Sequence, residues 1–198
     1  MGAQFPLMKT NHFWALLSAW ALCIGCQSDE AASAPSAKAQ TIADMKRATD
    51  NHSFSRPQEA VTTHLSWTAK VDFDTRQISA TAQYQIATAD DAQRILLDCR
   101  GLEIASVMVD GVESSFELGP EQPFLGQPLS IPVNGQSQTV SVTYTTAPDA
   151  AAFLWVEGEA PFLFTQSQAI LARTWVPCQD SPGIRFTYDA DVQVPANL

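Results

Sequence analysis

A period of two runs through most of the chain beyond residue 60. Leu65, Trp67, Ala69, Val71 and Phe73 alternate with Ser66, Thr68, Lys70 and Asp72. Successive side chains of a strand point to opposite faces, so this segment has one dry face and one wet face. Asp74-Thr75-Arg76-Gln77 supplies a polar turn, and residues 78–86 repeat the alternation. Two such segments joined by a short polar loop form an antiparallel hairpin. Residues 94–99 carry the compact apolar run Ile95-Leu96-Leu97, suited to a buried strand. Residues 106–109 end at Asp110-Gly111, a pair that accepts the positive φ angles of a tight hairpin. Residues 139–144 and 162–164 add further strands. In the last candidate, Ile184, Phe186, Tyr188, Ala190, Val192 and Val194 face one way, and Arg185, Thr187, Asp189, Asp191 and Gln193 the other. That pattern predicts a half-buried strand.

No long segment after residue 60 has helical periodicity. Strands with one wet face are the habit of antiparallel sheets. The expectation is therefore an all-β domain of packed antiparallel or mixed sheets, preceded by a signal segment and a disordered tether. Pro57, Pro120, Pro123, Pro128, Pro132, Pro148 and Pro161 are expected between strands or at sheet edges, because proline donates nothing to a ladder.

The domain boundaries follow from the N-terminal composition. Lys9 is the only side-chain charge before Asp29, and residues 13–24 are apolar apart from Ser18. A helix of that length spans ~18 Å against ~30 Å of bilayer hydrocarbon, too short for a comfortable span but suited to a signal-peptide core. Cys23-Ile24-Gly25-Cys26 closes the run. It resembles a bacterial lipobox, which implies lipid modification of Cys26, a membrane anchor through that residue and export to the cell envelope, either at the outer membrane or in the periplasm. An ordinary secretory cleavage near Ala31 or Ala34 is the other reading. Residues 1–26 are thus read as a signal segment and 27–51 as a solvated tether, with a short helix starting near residues 42–45. Residues 52–198 are read as the β-domain, with its final strands expected past residue 198.

Charge and missing motifs exclude several functions. Lys and Arg total 11 against 21 Asp and Glu, a net charge of −10. A nucleic-acid binder needs a positive surface to displace phosphate counterions, so nucleic acid is not an expected partner. His12, His52 and His64 do not form His-Glu-x-x-His, and His64 falls at a wet-face position. Gly-x-Ser-x-Gly, Gly-x-Gly-x-x-Gly and the phosphate-loop pattern are missing. Cys99 and Cys178 suit either a disulfide or two buried free thiols. No catalytic or metal-binding residue is expected within this chain.

Two stretches are more distinctive. Phe164-Thr165-Gln166-Ser167-Gln168-Ala169 is followed closely by Arg173-Thr174-Trp175-Val176-Pro177-Cys178-Gln179-Asp180-Ser181-Pro182. Together they resemble the end of the N-terminal β-domain of zinc aminopeptidases, the family of aminopeptidase N and leukotriene-A4 hydrolase. Residues 50–57, Val71-Asp72-Phe73, residues 78–82, Leu97-Asp98-Cys99 and Val109-Asp110-Gly111 resemble successive landmarks of the same domain. Gln168 favours the leukotriene-A4-hydrolase branch, because aminopeptidase N relatives usually have Glu there.

The resemblance implies that Gln166, Gln168 and Ala169 line a cleft holding the N-terminal end of a peptide substrate. A glutamine carbonyl can accept from an ammonium group without the desolvation cost of a buried carboxylate. The two glutamines can equally satisfy backbone groups of a tight turn. Residues 177–182 read as a structural loop, in which Asp180 accepts backbone hydrogen bonds. The family's zinc and catalytic residues lie in a domain further along the chain than this region reaches. The implied role is the substrate-cleft part of an exported zinc aminopeptidase, with the catalytic domain as partner. A lipid-anchored, non-catalytic β-sandwich that binds peptides or another protein is the alternative.

Overall fold

The computed structural model describes residues 50–196. The expected signal segment, Cys26, most of the expected tether and the helix expected near residues 42–45 lie outside the described residues.

The alternating segments become β1 (Ala60–Asp72) and β2 (Gln77–Thr88), a long antiparallel hairpin. They are followed by β3 (Arg94–Cys99), β4 (Leu102–Val109), β5 (Val112–Ser114), β6 (Glu117–Leu118), β7 (Gln127–Pro132), β8 (Thr139–Thr146), β9 (Phe153–Val156), β10 (Phe162–Thr165) and β11 (Thr187–Gln193). Among the described residues the only helical element is a single 3-10 turn, Ala172–Thr174. Six strands form one sheet in the order β11-β1-β2-β8-β4-β5, and three form another in the order β3-β7-β6. β9 and β10 make a separate hairpin.

The dry faces predicted from alternation meet in one core. β1 contributes Leu65, Trp67, Ala69 and Val71, and β2 contributes Ile78, Ala80, Ala82 and Tyr84. Val140, Val142 and Tyr144 extend this face along β8. The smaller sheet supplies Ile95, Leu97, Leu129 and Ile131. Each such aliphatic side chain stabilises the fold by roughly 1.5–3 kcal/mol when fully buried. The core is held in register by polar links. The Trp67 indole donates to the Tyr144 hydroxyl at 2.8 Å, and that hydroxyl donates to the Trp175 carbonyl at 2.9 Å. The Tyr84 hydroxyl donates to the Pro177 carbonyl.

The β4–β5 connection takes the form its sequence predicts. Asp110 and Gly111 adopt φ values of 50° and 79°. Asp110 Oδ1 accepts from the backbone N–H of Gln138 at 2.9 Å and of Thr139 at 2.8 Å. These donors, the Gln138 N–H foremost, hold the carboxyl below its ordinary value. A carboxyl depressed in the folded state adds stability above its unfolded pKa of ~3.9 and loses it as the pH falls through the folded value. Asp110→Ala should therefore lower Tm by about 2–4 °C at pH 7, and the gap from the unsubstituted chain should narrow at an acid pH below the folded value. Thermal melts at both pH values check this, with Asp110→Asn expected to be the milder change.

Two expectations are corrected. The first concerns β11, which was expected to have one dry face. All seven of its residues are exposed, with Tyr188 at 73% and Val192 at 46%. The strand pairs in parallel with β1 at the sheet edge, setting Tyr188 beside Leu65 and Val192 beside Ala69. Its apolar residues continue the inner face of the sheet past the area that the other described elements cover. The buried Ile184 lies before the strand, against Val61 and Ala87. The second concerns Pro128, which sits in a central strand opposite Asp98 and not at an edge. There its carbonyl accepts from the Gly119 N–H at 2.9 Å, a role that needs no proline donor.

Candidate functional site

The segment between β10 and the 3-10 turn carries the sequence-predicted residues. Gln166, Gln168 and Ala169 are exposed, forming a rim open to solvent. The Gln168–Ala169 peptide is cis, and Ile170 follows with φ of 56°. The rim is anchored at both ends. The Gln166 N–H donates to the Ala152 carbonyl and the Leu171 N–H to the Ser167 carbonyl, each at 2.9 Å. Gln166 Oε1 accepts from the Gln168 N–H at 3.0 Å. Ser167 Oγ accepts from the Trp175 indole at 3.1 Å. The structure thus brings Gln166 and Gln168 together but gives their side chains different surroundings. The Gln168 side chain makes no hydrogen bond to the described residues and is available to a ligand.

Beside the rim, the β9–β10 hairpin turns Leu154, Phe162 and Phe164 outward, at 59%, 52% and 49% exposure. Its other face puts Phe153, Trp155 and Leu163 against the core. Trp155 packs edge-on against Phe73 and Phe153, with ring centroids 5.2 and 5.7 Å away.

What fixes the base of the rim is a buried cation that sequence reading left without a role. The Arg173 side chain is fully buried. Its Nε donates to Asp180 Oδ2 at 3.0 Å, and its terminal nitrogens donate to the carbonyls of Leu125, His52 and Asp180 at 3.0, 2.8 and 3.1 Å. Asp98 Oδ2 lies 3.6 Å away. Asp98 also accepts from the Ser53 hydroxyl and from the backbone N–H groups of Phe54 and Asp180. Burial pushes the Asp98 carboxyl upward, and those donors together with Arg173 pull against it. A buried charge persists when paired and hydrogen-bonded on all sides, which this guanidinium is. The visible signal was an arginine two residues before an aromatic, followed seven residues later by an aspartate. Spacing alone did not show that the arginine was fully buried and the aspartate half-buried beside it.

Residues 177–182 form the structural loop predicted for them. Asp180 accepts from the Arg173 backbone N–H, as expected of a turn carboxylate. Gln179 is buried, and its amide bonds the Thr62 N–H and the Ala60 carbonyl, stitching the loop to β1. Asp98 and Cys178 exchange backbone hydrogen bonds of 2.7 and 3.2 Å. Cys99 and Cys178 are both buried and free, which settles the choice that the sequence left open. Burial pushes the Cys99 thiol up to about 12 and the Cys178 thiol up as well. Since the thiolate is the reactive form, iodoacetamide at pH 8 should spare both cysteines in the native chain and label both in denaturant. Mass spectrometry of the cysteine peptides reads this directly, and native-state labelling would contradict the burial.

His64 lies on the wet face of β1, as its position predicted, with its ring nitrogens 2.7 Å from Thr187 Oγ1 and 2.8 Å from Asp189 Oδ2. Among the described residues no three His, Cys, Asp or Glu side chains converge as metal ligands. The donor set present does not fit a zinc ion, so zinc chemistry is not assigned to these residues.

Known proteins share this β-sheet fold. Residues 61–198 match the model of the peptidase M1 N-terminal domain. A leukotriene A-4 hydrolase from Xenopus laevis is 34% identical over 161 residues, covering 75% of this chain and 26% of that protein. Leucine aminopeptidase 2 of Candida albicans is 35% identical over 136 residues, covering 67% of this chain and 22% of that protein. The structure of yeast leukotriene A4 hydrolase in complex with bestatin superposes with a TM-score of 0.69 at 25% identity, over 74% of this chain and 25% of that one. An M1 zinc metallopeptidase from Deinococcus radiodurans shares the fold, with a TM-score of 0.58 at 18% identity over 73% of this chain and 35% of that one. The chain thus spans about a quarter of the length of the curated relatives it matches. With the β-sheet scaffold and the match over residues 61–198 in agreement, this chain belongs to the peptidase M1 N-terminal domain family.

Proposed function

We propose that this chain is the substrate-cleft domain of an exported zinc aminopeptidase that removes N-terminal residues from peptides. The observation that carries the reading is the exposed Gln168 side chain, held on an anchored rim and making no hydrogen bond to the described residues. Its carbonyl oxygen can accept from the ammonium group of a peptide, and its amide can donate to a neighbouring carbonyl. Orientation of that amine fixes which peptide bond meets the reacting centre. Zinc, which polarises a scissile carbonyl and activates water in such enzymes, belongs to the catalytic domain of the family. The work of this chain is to bind and orient, through Gln168 and the backbone of Ala169. The outward face of Leu154, Phe162 and Phe164 is suited to seat that catalytic domain, since an apolar patch beside a binding rim marks an interaction surface.

Export and a lipid anchor on Cys26 are part of the same proposal. They are supported by the short apolar run over residues 13–24 and by the lipobox-like Cys23-Ile24-Gly25-Cys26. The deciding measurement is peptide hydrolysis by the zinc-containing enzyme, with Gln168 present and with it removed. A raised KM at unchanged zinc content supports the reading, and an unaltered KM overturns it.

A further inference from the structure

Gln166 and Gln168 look equivalent in the sequence, two residues apart in one exposed turn. Their hydrogen bonds are not equivalent. Gln166 Oε1 reaches forward along the turn and accepts from the Gln168 N–H at 3.0 Å. The residue between them is tied down separately, by the Trp175 indole on Ser167 Oγ at 3.1 Å. Trp175 is itself fixed. Its ring packs edge-on to Trp67, with centroids 5.2 Å apart, and its carbonyl accepts from the Tyr144 hydroxyl at 2.9 Å. A continuous chain of contacts therefore runs from the inner face of β1 and β8, through Trp175, to the middle of the rim.

We infer that Gln166, Ser167 and Trp175 form a latch that positions Gln168. The two glutamines then divide the work: Gln166 sets the backbone, and Gln168 alone meets the substrate amine. This assignment rests on the aminopeptidase reading above. The physical reason for a latch is entropy. Fixing the backbone of an exposed residue costs conformational entropy, and a turn ordered during folding does not bear that cost again when substrate binds. One hydrogen bond on the Gln168 N–H and one on its neighbour Ser167 hold this part of the turn.

A double-mutant cycle in the zinc-containing enzyme tests the assignment. Gln166→Leu and Ser167→Ala should each raise KM for a peptide substrate by about three- to tenfold, the worth of one modest hydrogen bond, with kcat changed less than about twofold. Added to Gln168→Ala, neither should raise KM further, because both act through Gln168. Ser167→Thr, which keeps the hydroxyl, should stay within about twofold of the parent. Losses that add would show that Gln166 touches the substrate itself and would overturn the latch.

A second arm is independent of catalysis. Backbone amide exchange at Gln168 in the 198-residue chain should accelerate about tenfold or more in Gln166→Leu, because the acceptor is gone. Unchanged exchange sinks the latch whatever the kinetics give. An unaltered KM in Gln168→Ala alone sinks the substrate contact, and the exchange arm still decides the latch.

Discussion

Arg173→Met should destabilise the domain by about 3–5 kcal/mol, the largest effect expected of any single substitution described here. Methionine matches the length of the arginine stem, so packing is nearly kept and the loss is electrostatic. The carboxylate of Asp180 would lose its Nε donor, and Asp98 would lose the cation that offsets its burial. The carbonyls of Leu125 and His52 would be left without the donors they now have. Unsatisfied buried groups carry the full desolvation penalty, which is why removing one partner costs more than the pair is worth. For a domain of this size the change corresponds to a fall in Tm of about 6–20 °C. Arg173→Lys should fall between, since an ammonium keeps the charge but lacks the planar fork that reaches three carbonyls and a carboxylate. Urea unfolding followed by tryptophan fluorescence measures both variants. A loss under about 1 kcal/mol in Arg173→Met would mean that the network is not what secures the base of the rim.

Gln168→Ala should raise KM for peptides by about tenfold or more, with zinc content and thermal stability unchanged. A hydrogen bond to a charged group contributes ~1.5–3 kcal/mol, which corresponds to roughly 10- to 150-fold in affinity. Stability should be spared because the side chain is exposed and makes no hydrogen bond to the other described residues. Steady-state kinetics on a peptide and on an analogue without the free amine separate two effects. The rise should be confined to the substrate that carries the amine. An equal rise for both would assign the glutamine to general cleft shape and not to recognition of the N-terminus.

Strand positions were legible where alternation was long. β1 and β2 each run for 12 or more residues, and their apolar positions fell on the buried face as expected. β5, β6, β7 and β9 went unread because they are short or proline-flanked, and a period of two needs several residues to declare itself. β7 shows the limit well. Pro128 argued against a central strand, yet the ladder tolerates it because its carbonyl is the group that is used. The rim was legible only through its resemblance to a known family, since two glutamines near an alanine carry no periodicity and no charge.

The sequence by itself determined which residues face inward along β1 and β2 and where the β4–β5 hairpin turns. It also determined that residues 177–182 make a polar loop. These are local properties, set by the geometry of neighbouring residues in the chain. The tertiary structure alone decided the sheet order, the exposed parallel edge at β11 and the burial of Arg173. It also decided the different fates of Gln166 and Gln168. For the sheet order, the β11 edge and Arg173 the reason is distance along the chain. Arg173 takes acceptors from His52 and Leu125, 121 and 48 residues away, and the tie that fixes the rim ends on an indole eight residues further on. Such contacts exist only once the sheets have packed, so no pattern in a short window of sequence announces them.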